Sequence, residues 1–112
     1  MRIRPVNKLV KWISGIILGD ITGISLCPFG IYINPSAPKE TLNHEKIHWR
    51  QQVEMLVIPF YVWYLIEFFL RRIRKNKRDA YLAISFEREA YANQDDMEYL
   101  SNRKPFAWAR YL

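Results

Sequence analysis

The sequence predicts a mainly helical α+β fold, in which a small β-hairpin lies against a helix carrying H-E-x-x-H and an antiparallel helix returns a glutamate to it. Three observations carry that expectation. Two short β-branched runs flank Pro28, Phe29 and Gly30, which reads as a hairpin around a turn. Start signals between Ser36 and Thr41 precede a face holding His44, His48 and Met55, and apolar residues recur at three and four spacing from Asp79, which reads as two helices. The 112 residues suit a single domain spanning 1–112, and with 50% of them apolar they can bury a small core.

The net charge of +6 is local. Six of the 17 basic residues (Arg71, Arg72, Arg74, Lys75, Lys77 and Arg78) lie in RRIRKNKR, and the other eleven match the 11 acidic ones. Such a cluster suits peripheral contact with anionic lipid, or a solvated turn. No RNA- or DNA-binding motif accompanies it, so nucleic acid is not an expected partner. The single cysteine, Cys27, excludes an internal disulfide and makes an oxidising compartment unnecessary. A cytoplasmic protein, peripheral to the inner face of a membrane where the basic cluster touches it, is the expected setting.

In chain order, MRIRPVNK and LVKWISGIILG have the outline of a signal peptide, but Lys11 interrupts the apolar part and no small-x-small cleavage site follows. The plainer expectation is an amphipathic helix over about residues 6–18, with Leu9, Ile13, Ile16 and Ile17 inward. Ile24 and Leu26, then Ile31 and Ile33, alternate with polar or small residues in the expected hairpin. It can cover one side of the core, or offer an exposed strand edge that holds an extended peptide by main-chain hydrogen bonds.

A helix is expected to begin between Ser36 and Thr41 and to continue through Met55. It presents His44, His48, Gln51 or Gln52, and Met55 down one face. Pro59 then marks a kink or a break. Residues 55–70 are the most apolar run, but as a helix they reach only about 24 Å, short of the roughly 30 Å of a bilayer core. Glu67 also sits inside the run. A buried core helix is the first reading, a helix lying on a membrane the second, and a true span the third. From Asp79, a plausible cap, a helix can run to about Leu100, with Glu87 on its buried stripe and Glu89 toward solvent. In the tail, Phe106, Trp108 and Tyr111 can dock the segment on the core, or the segment can lie across the cleft and restrain it.

The chemistry rests on spacing. Residues four apart on a helix stand on one face, so His44 and His48 can grip one metal ion with Glu45 beside it. Catalytic zinc usually takes three protein ligands and keeps one position open. Glu87 lies 39 positions beyond His48, enough chain to run out along one helix, turn in the basic loop and come back to the metal.

His44-Glu45-x-x-His48 followed by Glu87-x-x-Ala90 resembles the motif pair of the glutamate-zincin metallopeptidases. That clan includes the HtpX and CAAX-prenyl protease family, the BlaR-type sensor peptidases, the ImmA/IrrE-type peptidases and the very small minigluzincins. The resemblance covers roughly residues 40–55 and 79–94. It implies a zincin-like minimal core, a Zn2+ ion ligated by His44, His48 and Glu87, and Glu45 as the catalytic base acting on a peptide or protein substrate. Where an Asp or Asn commonly follows the Ala of the second motif, this chain has Tyr91. Tyr91 is the candidate donor to the oxyanion of the reaction. The expected activity is peptide-bond hydrolysis by a zinc metallopeptidase. The rivals are a non-catalytic zinc-stabilised binding module, placed at a membrane surface by the basic cluster, and a membrane-surface protein without metal.

Overall fold

The computed structural model describes residues 3–5, 8, 23–27 and 29–112. Apart from Lys8, the helix expected over residues 6–18 lies outside them, as does the segment with the signal-peptide outline.

The hairpin forms as expected: β2 (Gly23–Leu26) pairs antiparallel with β3 (Gly30–Ile33), from Gly23 opposite Ile33 to Leu26 opposite Gly30. Its turn is closed by the N–H of Phe29 donating to the carbonyl of Leu26 at 2.6 Å. Gly30 leaves the turn at φ 140°, which a residue with a Cβ rarely adopts. A strand not anticipated, β1 (Ile3–Pro5), adds parallel to β3, giving the order β1-β3-β2. Ser25 and its cross-strand partner Ile31 are the buried pair, whereas Ile24 and Leu26 are only half-buried. Ser25 is tolerated there because its hydroxyl donates to the side chain of Gln52 at 3.2 Å.

Helix α1 (Lys39–Glu54) starts after Pro38, within the expected window, but with no side-chain cap. It ends in two successive residues of positive φ, Leu56 at 60° and Val57 at 67°. Val57, with ψ −71°, is the centre of a tight γ-turn in which the N–H of Ile58 donates to the carbonyl of Leu56 at 2.8 Å. Helix α2 (Ile58–Arg72) then leaves at 114° to α1, with Pro59 in its first turn, so the proline marks a break. Among the described residues no single helix is long and apolar enough to cross a membrane.

Helix α2 is a core helix on one side only. Phe60 and Phe68 join Ala80, Ile84, Phe86 and Trp108 in the main apolar cluster, while most of its other large apolar side chains remain exposed. The continuous helix expected from Asp79 to Leu100 is three pieces: α3 (Lys77–Ala83), α4 (Ser85–Asn93) and α5 (Tyr99–Asn102). The cap of α3 is Asn76, whose side chain accepts from the N–H of Asp79 at 2.9 Å; Asp79 itself sits in the first turn. The break falls at Ile84, extended at ψ 134°. There the Glu67 carboxylate of α2 takes the N–H of Ser85 at 3.1 Å and also its hydroxyl, capping α4 from another helix. The buried carboxyl group of Glu67 is thereby hydrogen-bonded.

Helices α1 and α4 run antiparallel, as partners descend along one while residues ascend along the other. Asn43 donates to the carbonyl of Gln94 at 2.8 Å, and Gln51 to that of Phe86 at 3.1 Å. The tail closes on α4 with a 3-10 helix, Ala107–Tyr111. Trp108 docks it in the core, whereas Phe106, expected to help, is half exposed at φ 58°.

Candidate metal centre

Seven residues of α1 are buried, and six of them are polar: Asn43, His44, Glu45, His48, Gln51 and Gln52, with Ile47 the exception. A helix face of that kind costs free energy unless every group finds a partner. The partners come from α4 and from β2.

His44, His48 and Glu87 converge. Nε2 of His44 and Nε2 of His48 are 3.1 Å apart, and Oε1 of Glu87 lies 3.1 Å from the first and 2.9 Å from the second. All three residues are buried. Donor atoms at zinc-ligand distances in a tetrahedral array lie about 3.3 Å from one another, so the spacing is close to what a bound ion needs.

The other ring nitrogens decide what those atoms are. Nδ1 of His48 lies 2.7 Å from Oε1 of Gln51. The orientation of the Gln51 amide is fixed, because its nitrogen donates to Oε1 of Glu89 at 2.9 Å and to the carbonyl of Phe86. Nδ1 of His48 must therefore be the donor, and in the neutral ring Nε2 is left with a lone pair. Nδ1 of His44 lies 2.8 Å from Oε1 of Gln94, an acceptor that makes this nitrogen the donor as well. Three lone pairs thus face one another in a buried space and need a cation among them, either a proton or a metal. Two imidazoles and a carboxylate, each oriented by an outer partner, are the donor set of a catalytic zinc site.

In the metal-free chain a proton takes that place. Burial pushes the His48 imidazole down, but the adjacent Glu87 carboxylate outweighs it and raises the pKa to about 9. Burial pushes Glu87 up; the two imidazoles pull harder and hold it well below the usual carboxylate range. The second oxygen of Glu87 is occupied by the hydroxyl of Tyr64, which donates at 2.8 Å, so Oε1 is the oxygen turned to the histidines.

Glu45 lies beside this group with its pKa raised, mainly by burial, against the opposing pull of the two histidines. It is boxed in by β2. A Cβ built on Gly23 would stand 3.3 Å from its Cγ. Tyr91 is half exposed and sets its ring edge-on to His44, with centroids 4.5 Å apart; its hydroxyl is 3.0 Å from that of Tyr81. It stands beside His44, but its hydroxyl is engaged with Tyr81.

Two expectations fail here. Glu89 does not face solvent. It is fully buried, because the tail returns over that side of α4 and brings Arg103, which donates from Nε at 2.6 Å and from a terminal nitrogen at 3.0 Å. Tyr99 adds a hydroxyl at 2.6 Å, and Arg103 also holds Glu54 at 2.7 Å. The tail thus closes on the side of α4 opposite Glu87, not across the metal ligands.

The second failure is the open strand edge. Gln52 is buried against β2 and takes the outward main-chain groups as a neighbouring strand would. Its nitrogen donates to the carbonyl of Ser25 at 2.8 Å, and its oxygen accepts from the N–H of Cys27 at 2.9 Å. The hydroxyl of Tyr61 donates to the carbonyl of Cys27 at 3.0 Å. The carbonyl of Ser25 and both main-chain groups of Cys27 are thus already taken and cannot serve a peptide.

Sequence reasoning missed Gln94, Tyr64 and Arg103, and left Gln51 and Gln52 undecided between them. Gln94 had a signal: it follows Glu87 by seven residues, two helical turns along the same face. Tyr64 and Arg103 had none, since they reach the site across tertiary contacts. No known family profile, curated protein or solved structure matches this chain.

Proposed function

We propose that the chain is a zinc-dependent metallopeptidase of the glutamate-zincin kind, with His44, His48 and Glu87 as metal ligands and Glu45 as general base. The observation that carries this reading is the convergence of three lone-pair atoms within 3.1 Å, with both Nδ1 positions held by side-chain amides. Zinc in that position would polarise a peptide carbonyl and acidify a water molecule.

The chain's own residues do the rest. Glu45, raised above the ordinary carboxylate range by burial, suits proton transfer better than an exposed glutamate. Its carboxylate takes a proton from the attacking water and returns it to the leaving amine. Gln51 and Gln94 fix the imidazole rings, and Tyr64 holds Glu87 to one oxygen. Tyr91, whose ring stands beside His44, is the candidate donor to an oxyanion and would have to leave Tyr81 to serve; the hydroxyl of Tyr64 is already committed to Glu87.

The test has two stages. Metal analysis of the purified wild type beside Glu87→Ala is expected to find zinc in the first and little in the second. Cleavage of unfolded protein substrates is then expected in the wild type and abolished in Glu45→Gln, with zinc retained. Zinc without cleavage, and a Glu45→Gln variant unchanged in every property, would establish the non-catalytic zinc-stabilised module instead.

A further inference from the structure

The outer face of α2 is the largest feature the metal centre leaves unexplained. Val62, Leu65, Ile66, Phe69, Leu70 and Ile73 follow one another at the three and four spacing of one helix face and line a shallow apolar groove. They are between 37% and 78% exposed. The opposite face of the same helix already fills the core, so α2 is apolar all round yet covered on one side. Contiguous apolar surface of this kind marks an interaction site.

Charge says what covers it. The stripe runs directly into RRIRKNKR, where Arg72, Arg74, Lys75, Lys77 and Arg78 are exposed. The one acid within α2, Glu67, is buried against Ser85, so the exposed face carries no negative charge. A nucleic acid would meet the cations but offer the apolar stripe nothing to bury it. A second copy would bury the stripe and leave the basic turn without counter-charge. An anionic lipid surface meets both, with acyl chains for the stripe and phosphates for the turn. The geometry fits a helix lying in the interface, because 15 residues reach about 22 Å, too short to span.

We propose that α2 docks the protein flat on an anionic membrane, with its apolar stripe sunk at the headgroup boundary and the Arg71–Arg78 turn on lipid phosphates. The proposal holds whether or not the metal centre is catalytic.

The test is co-sedimentation with phosphatidylcholine vesicles, with and without phosphatidylglycerol. The wild type is expected to bind the anionic vesicles and to lose that binding as salt is raised. Arg72→Glu/Arg74→Glu/Lys75→Glu should weaken binding by at least about a hundredfold, since each basic residue near such a surface is worth roughly fivefold and the new carboxylates add repulsion. Phe69→Ser/Leu70→Ser should weaken it by at least about tenfold. Both variants alter exposed side chains, and unchanged circular dichroism and zinc content would show that the fold is intact. Equal binding by wild type and both variants, or no binding to anionic vesicles, overturns the proposal. So does a wild-type dimer that Phe69→Ser/Leu70→Ser converts to monomer without any lipid binding by either.

Discussion

Gln51 stands with its carbonyl oxygen 2.7 Å from Nδ1 of His48 and its nitrogen on Glu89, so one buried amide fixes a candidate ligand on one side and a buried carboxylate on the other. The Arg103–Glu89 ion pair is thereby connected to the metal centre through a single side chain. Gln51→Leu keeps the volume roughly but removes these two bonds and the one to the carbonyl of Phe86. Metal affinity should fall about 10- to 100-fold, as for other outer partners of ligand histidines. Competition against a chelator of known affinity measures this, and an unchanged affinity would show that packing alone holds His48.

Arg103→Met should be the most destabilising of the single changes away from the metal. It leaves Glu89, fully buried, without its cation, and a broken buried pair costs about 3–5 kcal/mol. Urea unfolding reads the loss directly. The Arg103→Met/Glu89→Gln double variant should recover part of it, because the buried charge is then gone. Burial pushes Glu89 up, but Arg103, Tyr99 and Gln51 outweigh it and hold its pKa low. That contribution is therefore present above the ordinary glutamate range and lost as pH falls below it.

Metal binding should displace a proton from His48. In the metal-free chain its pKa is raised to about 9, so at pH 7 the ring is charged and must give up its proton to become a ligand. Calorimetry in buffers of different ionisation enthalpy should show release of about one proton per zinc at pH 7, and affinity should rise about tenfold per pH unit up to pH 9. The stability of the metal-free protein has the opposite trend. A folded-state pKa above the unfolded value contributes stability that is complete below about 6.5 and fades as pH rises through about 9. Binding that is independent of pH over this range would mean that His48 is neutral before the metal arrives.

What could be read from the residues alone was what depends on short-range periodicity. Four-residue spacing on a helix places His44 and His48 on one face, and the distance to Glu87 allows one turn and a return. The hairpin was legible because two β-branched runs flank a Pro and Gly turn. The failures share a cause, which is a partner far away in the chain. The break at Ile84 is set by the Glu67 carboxylate, 18 residues before the Ser85 that it caps. Glu89 is inside because Arg103 arrives from the tail, 14 residues later. The edge of β2 is occupied because Gln52, 27 positions beyond Ser25, matches its bonding pattern. The positive φ at Leu56 and Val57 carries no local signal either, since neither is a residue that favours that region.

Gly23 offers a way to separate the chemistry from the metal. A Cβ there would lie 3.3 Å from Cγ of Glu45 and 3.3 Å from the carbonyl of Tyr32, so both neighbours are already close before any branching is added. The carbonyl contact needs a shift of only a few tenths of an ångström within the ladder, whereas the Glu45 side chain is free to swing aside and is the group that moves furthest. Gly23→Val, whose β-branched side chain suits a strand, should therefore keep the hairpin and displace the Glu45 carboxylate, the proposed general base. His44, His48 and Glu87 make their contacts on the α4 side and are not touched, so zinc content should match the wild type. If Glu45 is the base, hydrolysis should fall by about 100-fold or more, since positioned proton transfer contributes on that order. Loss of zinc together with activity would show instead that β2 supports the ligands themselves, and full activity with full zinc would remove Glu45 from the proton-transfer role.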